Sequence, residues 1–423
     1  MNLKESIIHQ AKLAKTAARE MARCKTSVKN SALIAMANAL EEKRNFLIEE
    51  NTKDLEVGKH NHLSAPMIER LTLTSKRITE MAIGLREVST LPDPVGQILG
   101  LSRRENGMQV GQMRSPIGLI GIIYESRPNV TADTTALCVK SGNAVILRGG
   151  SEAIHSNKAI ASILIAAGEA AGLPRHFATL IETTDRSAIL EMLELSSFID
   201  LIIPRGGEAL MQMVTQHAKM PVMKHDKGVC HTFVDATASM EMAQKVAINA
   251  KAQRPGTCNA METLLIHQAI APRFLPIIAK GLQEANVSMR VCPKTWTILT
   301  EDGFNSIAKA DESDWQAEYL DLILAVKVVD DMEEAMAHIA QYGSGHSEAI
   351  ITNDHDHAMR FLNEVDASAV FVNASTRLND GGQLGLGAEM GISTSRIHAR
   401  GPMGLEALTC PKFIILGEGQ IRQ

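Results

Sequence analysis

At 423 residues, 45% of them hydrophobic and 22% charged, the chain reads as a soluble globular protein of roughly two or three domains. A net charge of −5 argues against a general nucleic-acid binder, and 3% aromatic residues leave little for base- or sugar-stacking platforms. The six cysteines (Cys24, Cys138, Cys230, Cys258, Cys292 and Cys410) are scattered and form no CxxC pair, which points to a reducing, cytoplasmic setting.

The N-terminus opens an amphipathic charged helix without the apolar core of a signal peptide, and no run is long enough to span a membrane. Residues 1–91 read as helical, with Leu33, Ala37, Leu40 and Leu47 at three- and four-residue spacing. A hairpin follows, its arms 96–103 and 108–114 joined through Asn106-Gly107, the strongest short hairpin signal. Two strands are not stable alone, so the hairpin is expected to pair with something else, a second subunit being one candidate.

From Pro116 the pattern is α/β. Apolar strands are predicted at 117–124, 143–148, 176–181 and 199–203, with helices at 130–140, about 152–171, and after Gly207. A second α/β segment starts near Val229, with strands near 229–234, 263–266, 321–329, 347–351 and 368–372 and helices near 238–251, 331–341 and 355–364. Strands and helices alternating in this way give doubly wound sheets, whose ligands sit at the carboxyl ends of the strands. A glycine-rich loop at 381–387 and a short C-terminal strand, Phe413 to Leu416, complete the chain.

Several stretches carry polar chemistry. Arg148-Gly149-Gly150-Ser151 follows a buried strand and opens a helix, where backbone amides suit a phosphate; Gly206-Gly207 repeats the geometry one unit later. Neither is a GxGxxG fingerprint, and each alone is also just a tight turn. Asn129, after the first central strand, is either a helix cap or an amide aimed at an oxyanion. His355, His357, Cys230 and His231 have the wrong spacing for a zinc site and read as surface or loop residues. Arg127, Arg254 and the Arg396–His398–Arg400 cluster could meet an anionic group. Cys258 lies in Gln253-Arg-Pro-Gly-Thr-Cys-Asn259, after a Pro-Gly turn and before an apolar strand. A lone cysteine is more often core filler than nucleophile, but this one is placed where a thiolate could attack an acyl carbon.

Taken together, Ser126-Arg-Pro-Asn-Val-Thr131, Gly142 to Gly150, Asp200 to Gly207, Gln253 to Asn259 and Gly387-Ala-Glu-Met-Gly-Ile-Ser393 resemble the aldehyde dehydrogenase superfamily, and within it the γ-glutamyl phosphate reductase family, over nearly the full length. The resemblance implies an aldehyde dehydrogenase-like α/β fold with two doubly wound Rossmann-like domains and a hairpin oligomerisation element. It places the NADPH-binding domain at 1–95 and 114–225 (with 380–400 returning to it), the oligomerisation elements at 96–113 and 401–423, and the catalytic domain at 226–379. It also implies NADPH-dependent reduction of L-glutamyl 5-phosphate to the semialdehyde through a cysteine thioester, the second step of proline biosynthesis.

Residue by residue, Cys258 matches the nucleophile and Asn129 the oxyanion amide. Arg148 matches a position that contacts the adenosine ribose, and Ser151 replaces a glutamate of NAD-preferring members, leaving room for a 2′-phosphate. Gly149, Gly150, Gly206 and Gly207 match the cofactor turns, and Asp321 falls near a glutamate that binds the nicotinamide ribose. Arg127, Arg254 and Arg396 are the substrate-anion candidates, and no metal is implied. The general-base glutamate of hydrolytic members is missing from 222–229, as suits an acyl-enzyme that must avoid water. A homo-oligomer is implied, its hairpin pairing with a neighbour's C-terminal strand, and so labile a substrate makes transient contact with a glutamate 5-kinase plausible. Three rivals remain: a coenzyme A-dependent acylating dehydrogenase, a cysteine hydrolase and a chemically inert binding protein.

Overall fold

The computed structural model describes residues 2–224, 227–304 and 307–422 and groups the chain into two units. One comprises Met1–Lys224, Gly385–Gly391 and Met403–Gln423; the other comprises His225–Leu384 and Ile392–Pro402. The stretch 380–400, expected to return whole to the first unit, is therefore divided, with only 385–391 doing so.

The first unit opens with α1 (Leu3–Met21), α2 (Thr26–Glu42), α3 (Arg44–His60), α4 (Ala65–Leu71) and α5 (Ser75–Thr90). Asn2 caps α1 through a reciprocal pair with Glu5, each side chain accepting the other's backbone N–H. Leu33, Ala37, Leu40 and Leu47 are all fully buried, as their spacing predicts. The hairpin strands β1 (Ile98–Arg103) and β2 (Gln109–Pro116) pair antiparallel, and Gly107 takes φ 87° in the turn between them. The hairpin's partner differs from the expectation. The C-terminal strand of the same chain, Thr409–Leu416, lies antiparallel on β2 from Thr409↔Pro116 to Leu416↔Gln109. A third strand supplies the ladder that two strands lack, without a neighbouring chain.

Next come β3 (Leu119–Tyr124), α6 (Asn129–Lys140), β4 (Ala144–Gly149), α7 (Ile154–Ala170), β5 (Ala178–Leu180), α8 (Ser187–Leu193), β6 (Leu201–Arg205) and α9 (Glu208–His217). The four strands form a parallel sheet in the order β5-β4-β3-β6. Every residue of β3 and β4 is buried, which is why they read as unbroken apolar runs. Strand order reverses at β3, so the crevice at its carboxyl end is where such sheets take ligands. The register puts Tyr124 beside both Gly149 and Arg205, gathering three loops there: 125–128, 149–151 and 206–207.

The second unit runs β7 (Cys230–Val234), α10 (Met240–Ala252), β8 (Met261–His267), α11 (Ala271–Glu284), β9 (Ser288–Val291), α12 (Pro293–Glu301), β10 (Ile307–Lys309), β11 (Ile323–Val329), α13 (Met332–Tyr342), β12 (Ser347–Ile351), α14 (His355–Glu364) and β13 (Ala369–Val372). Its parallel sheet has the order β10-β9-β11-β8-β7-β12-β13. The elements α11, β9, α12 and β10 are additions to the sequence reading. Pro272 and Pro276 obscure α11: the first sits in its opening turn, where a missing N–H costs nothing, and the second inside it. Phe274, Leu275, Ile278 and Leu282 nonetheless form one buried face against β8 and β11, and that packing outweighs the lost hydrogen bond.

Candidate active site

Helix α10 stops at Ala252, and Pro255 cannot continue it, so residues 253–260 must loop before β8 begins at Met261. Both ends of the loop are anchored by one buried ion pair, Lys251 Nζ to Glu262 Oε2 at 2.5 Å, with both side chains essentially inaccessible. Burial pushes the Glu262 carboxyl up to about 7, Lys251 opposing, and burial pulls the Lys251 ammonium down.

Cys258 is half-buried in this loop. Its carbonyl is clamped from behind. Cys230 Sγ donates to it at 3.2 Å, and a Cβ on Gly228 would stand 2.0 Å from the same oxygen, so only glycine fits there. Gly228 is itself held by its N–H on Glu318 Oε1 at 2.9 Å. Asn259 fixes the other flank: its Nδ2 donates to Asn379 O at 2.9 Å, and its carbonyl accepts from Thr376 Oγ1 at 2.8 Å. The guanidinium of Arg377 spans the loop, with Nε donating to Gln253 Oε1 at 2.9 Å and Nη1 to Asn259 Oδ1. The nucleophile candidate thus rides on backbone fixed at its own carbonyl and at Asn259, with arginine close by.

Cys230 is no rival. It is fully buried, and desolvation, with Glu348, Cys258 and Glu262 adding to it, holds its thiol far above the ordinary range. Burial also raises Cys138 and Cys24. His231 corrects the sequence reading: it is a fully buried β7 residue, not a surface one, with Nδ1 on Glu348 Oε2 at 2.9 Å. His357 meets Asp235 at 3.1 Å. Arg396 and Arg400 both pair with Asp366, and with Ser344, Gly345 and Thr394 they line a cavity of about 380 Å³. Asp321 is exposed just before β11, its carboxylate accepting the Leu322 N–H at 2.8 Å. The stretch 222–229, noted for its missing glutamate, includes His225 and Asp226, which lie outside the described residues.

In the first unit, the three loops at the carboxyl ends of β3, β4 and β6 hold Glu125 to Asn129, Gly149 to Ser151, and Gly206-Gly207. Asn129 is the first residue of α6 rather than its cap; Pro128 occupies the cap position. The Asn129 Nδ2 donates to Asp133 Oδ2 at 2.8 Å, which orients the amide and leaves its second N–H uncommitted. Burial pushes the Asp133 carboxyl up to about 6, the Asn129 hydrogen bond and the Arg205 charge opposing. One of the phosphate-suited amides already meets a carboxylate: the Gly207 N–H donates to Glu125 Oε2 at 2.9 Å. On the neighbouring loop, Ser126 donates N–H and Oγ–H to Glu152 Oε1 at 2.6 and 2.8 Å.

Arg148 is 4% exposed and turned onto backbone carbonyls: Gly149 O at 2.8 Å, Thr184 O at 3.3 Å and Asp185 O at 3.4 Å. Its Nε has no partner among the described residues. Burial lowers its guanidinium from the ordinary range, and the Arg186 charge acts the same way. Ser151 is exposed in a 3₁₀ turn leading into α7, and Arg127 is exposed on the 125–128 loop. These features fit a dinucleotide: a reversal-point crevice, an exposed hydroxyl at the end of β4, and a buried orphan guanidinium nitrogen.

The chain belongs to the aldehyde dehydrogenase family, which residues 3–297 and 306–413 match. Its relatives within that family include gamma-glutamyl phosphate reductases. Those of Geobacter metallireducens and Thermodesulfovibrio yellowstonii are 55% and 53% identical, over 100% of both chains in each case. The crystal structure of gamma-glutamyl phosphate reductase from Thermotoga maritima superposes with a TM-score of 0.95 at 46% identity, covering 99% of this chain and 100% of that one. With such relatives along its whole length, the chain is placed among these oxidoreductases, and the inert and hydrolytic rivals fall away.

Proposed function

We propose that the protein reduces L-glutamyl 5-phosphate to L-glutamate 5-semialdehyde and inorganic phosphate, the second step of proline biosynthesis, with Cys258 as nucleophile and NADPH as reductant. The observation that carries this reading is the Cys258 loop, a half-buried thiol on backbone clamped at its own carbonyl and at Asn259, with the Arg377 guanidinium across the loop and Arg254 near it. The Cys258 sulfur adds to the γ-acyl carbon, the bond from that carbon to the phosphate oxygen breaks, and inorganic phosphate leaves a thioester on the enzyme. The Asn129 amide, aimed by Asp133, is the proposed donor to the oxyanion. When bound, NADPH supplies the hydride that takes the acyl carbon to the aldehyde level. Collapse of the thiohemiacetal then returns the Cys258 thiolate.

Gly149, Gly150, Gly206 and Gly207 are the proposed cofactor turns, with Ser151 at the adenosine ribose and Asp321 at the nicotinamide ribose. Support for NADPH over NADH comes from Ser151, which is small and exposed, and from two guanidiniums near one another. Arg148 is held inward, and Arg186 is exposed beside it, its side chain making no hydrogen bond among the described residues. A homo-oligomer is proposed through the three-stranded sheet, where Ile98, Leu101, Phe413 and Ile415 stand exposed. Among the described residues no helix is long and apolar enough to cross a membrane. A cytoplasmic location is proposed from the six scattered cysteines, which suit a reducing compartment.

The test is phosphate-dependent oxidation of glutamate semialdehyde, followed by NADPH formation. The wild-type protein should turn over only with phosphate, and Cys258→Ser should lose on the order of 10³-fold or more of kcat while keeping its fold. Turnover with coenzyme A in place of phosphate, or an active Cys258→Ser, would overturn the proposal.

A further inference from the structure

The sequence draws attention to Arg127, Arg254 and Arg396, yet the arginine that the second unit ties to the nucleophile's loop is Arg377. It lies in a 3₁₀ turn, Thr376–Leu378, directly after β13. That turn is rigid. Ser375, Thr376 and Asn379 are buried; Ser375 caps it, Thr376 bonds Asn259 O, and Asn379 Nδ2 donates to Ser347 Oγ at 2.8 Å. The side chain is therefore delivered from a fixed base onto Gln253 and Asn259, on either side of Cys258.

Those two bonds use Nε and one N–H of Nη1. A guanidinium has five N–H donors, so the second N–H of Nη1 and both of Nη2 remain uncommitted. Among the described residues no carboxylate pairs with it. Burial lowers it from the ordinary arginine range, and the neighbouring Arg254 charge acts in the same direction, with Asp380 and Cys258 opposing. Asp380 spends one carboxylate oxygen on the Gly382 and Gln383 N–H groups. Two guanidiniums near each other and near the thiol, one of them half-buried and unpaired, make an arrangement that an anion with several acceptor oxygens would relieve. Arg396 and Arg400 offer the contrast, since both already share Asp366.

We propose that Arg377, with Arg254 beside it, holds the phosphoryl group of the substrate and stabilises the charge that builds on the departing phosphate. This rests on the acyl-phosphate reading above. Charge accumulates on the leaving oxygen as its bond to the acyl carbon breaks, and a pre-positioned guanidinium meets it without reorganisation. Arg377 is then a catalytic residue, and its bonds to Gln253 and Asn259 aim it.

Inorganic phosphate is the probe, used on the full-length protein. Two quantities are read: the phosphate concentration that half-protects Cys258 from iodoacetamide, and KM for phosphate against KM for semialdehyde in the oxidative direction. In Arg377→Gln both phosphate quantities should rise about tenfold to a hundredfold, with KM for semialdehyde within about twofold of wild type. Arg377→Lys should recover part of the loss by restoring the charge without the fork, and serves as the second variant if the glutamine form does not fold. Unchanged phosphate constants alongside a lower Tm would show a merely structural strut and overturn the proposal. Lost protection by L-glutamate with phosphate protection intact would assign the arginine to the α-carboxylate and overturn it equally. A wild-type enzyme indifferent to phosphate would instead sink the acyl-phosphate reading itself.

Discussion

The carboxyl edge of the first sheet and the Cys258 loop of the second unit both concentrate charge, and they handle it in opposite ways. At the first, the protein satisfies most of its own charge: Glu125 sits on the Gly207 amide, Glu152 on Ser126, and Arg148 on three backbone carbonyls, with the Arg148 Nε left over. At the second, the backbone is fully braced, but positive charge is left over, with Arg377 bonded only to neutral amide oxygens and Arg254 nearby. A diffusible cofactor needs a site that is stable when empty and can exchange its own carboxylates for phosphates. A leaving group needs charge in place before the bond breaks, because reorganisation during the reaction adds to the barrier. The difference between the two regions is the one expected between a site that binds and a site that reacts.

The largest effect is expected at the ion pair under the Cys258 loop. If Lys251 and Glu262 fix both ends of that loop, Lys251→Met leaves a buried carboxylate without its partner and should cost about 3–5 kcal/mol, read from urea unfolding. The double variant Lys251→Met with Glu262→Leu should regain most of that stability, since a well-packed apolar pair is often as good as a buried ionic one. It should not regain full activity, because the loop ends would no longer be fixed by charge. Equal recovery of stability and kcat would show the pair to be only a core feature.

At the first site, Arg148 is predicted to be chiefly structural. Arg148→Met strands the carbonyls of Gly149, Thr184 and Asp185 and should lower stability by about 1–3 kcal/mol. Arg186→Ala should leave Tm nearly unchanged and raise KM for NADPH more than KM for NADH. If Arg148→Met instead abolished the NADPH preference with no loss in Tm, the self-satisfied description of this edge would be wrong.

What the sequence showed of these two regions was their backbone. The Pro-Gly turn before Cys258, the glycine pairs after β4 and β6, and the alternation of strands and helices follow from local φ restrictions and apolar runs, which a sequence displays directly. Their electrostatics were hidden. Arg377 reaches Asn259 across 118 positions, and nothing in its local pattern marks it. Glu125 and Glu152 look like ordinary loop and helix-start residues until the register of β3 with β4 and β6 brings their loops together. Asn129 reads in sequence as either a helix cap or an oxyanion amide; the cap reading fails, because α6 starts at Asn129 itself, and its amide bonds Asp133. The burial of His231 was also unreadable, because its partner Glu348 lies 117 positions away on β12.

Asp133 gives the smallest expected effect and separates the two roles of the first site most finely. Its carboxyl is raised in the folded protein to about 6 by burial, well above the ordinary aspartate range. A group raised on folding stabilises below its unfolded pKa, and that contribution is lost as pH rises through the folded value. The Asp133 contribution should therefore be complete near pH 4, decline up to about 6, and be absent at pH 7. Asp133→Asn removes this titration and keeps an acceptor for the Asn129 amide, so Tm of the variant minus Tm of wild type should grow from pH 4 to pH 7 and then level. At neutral pH the variant should be the more stable protein yet the slower one, because an amide holds Asn129 less firmly than a carboxylate does. kcat should fall with little change in KM for NADPH. A pH-independent Tm difference would place the carboxyl in water, and an unchanged kcat would remove Asn129 from the chemistry.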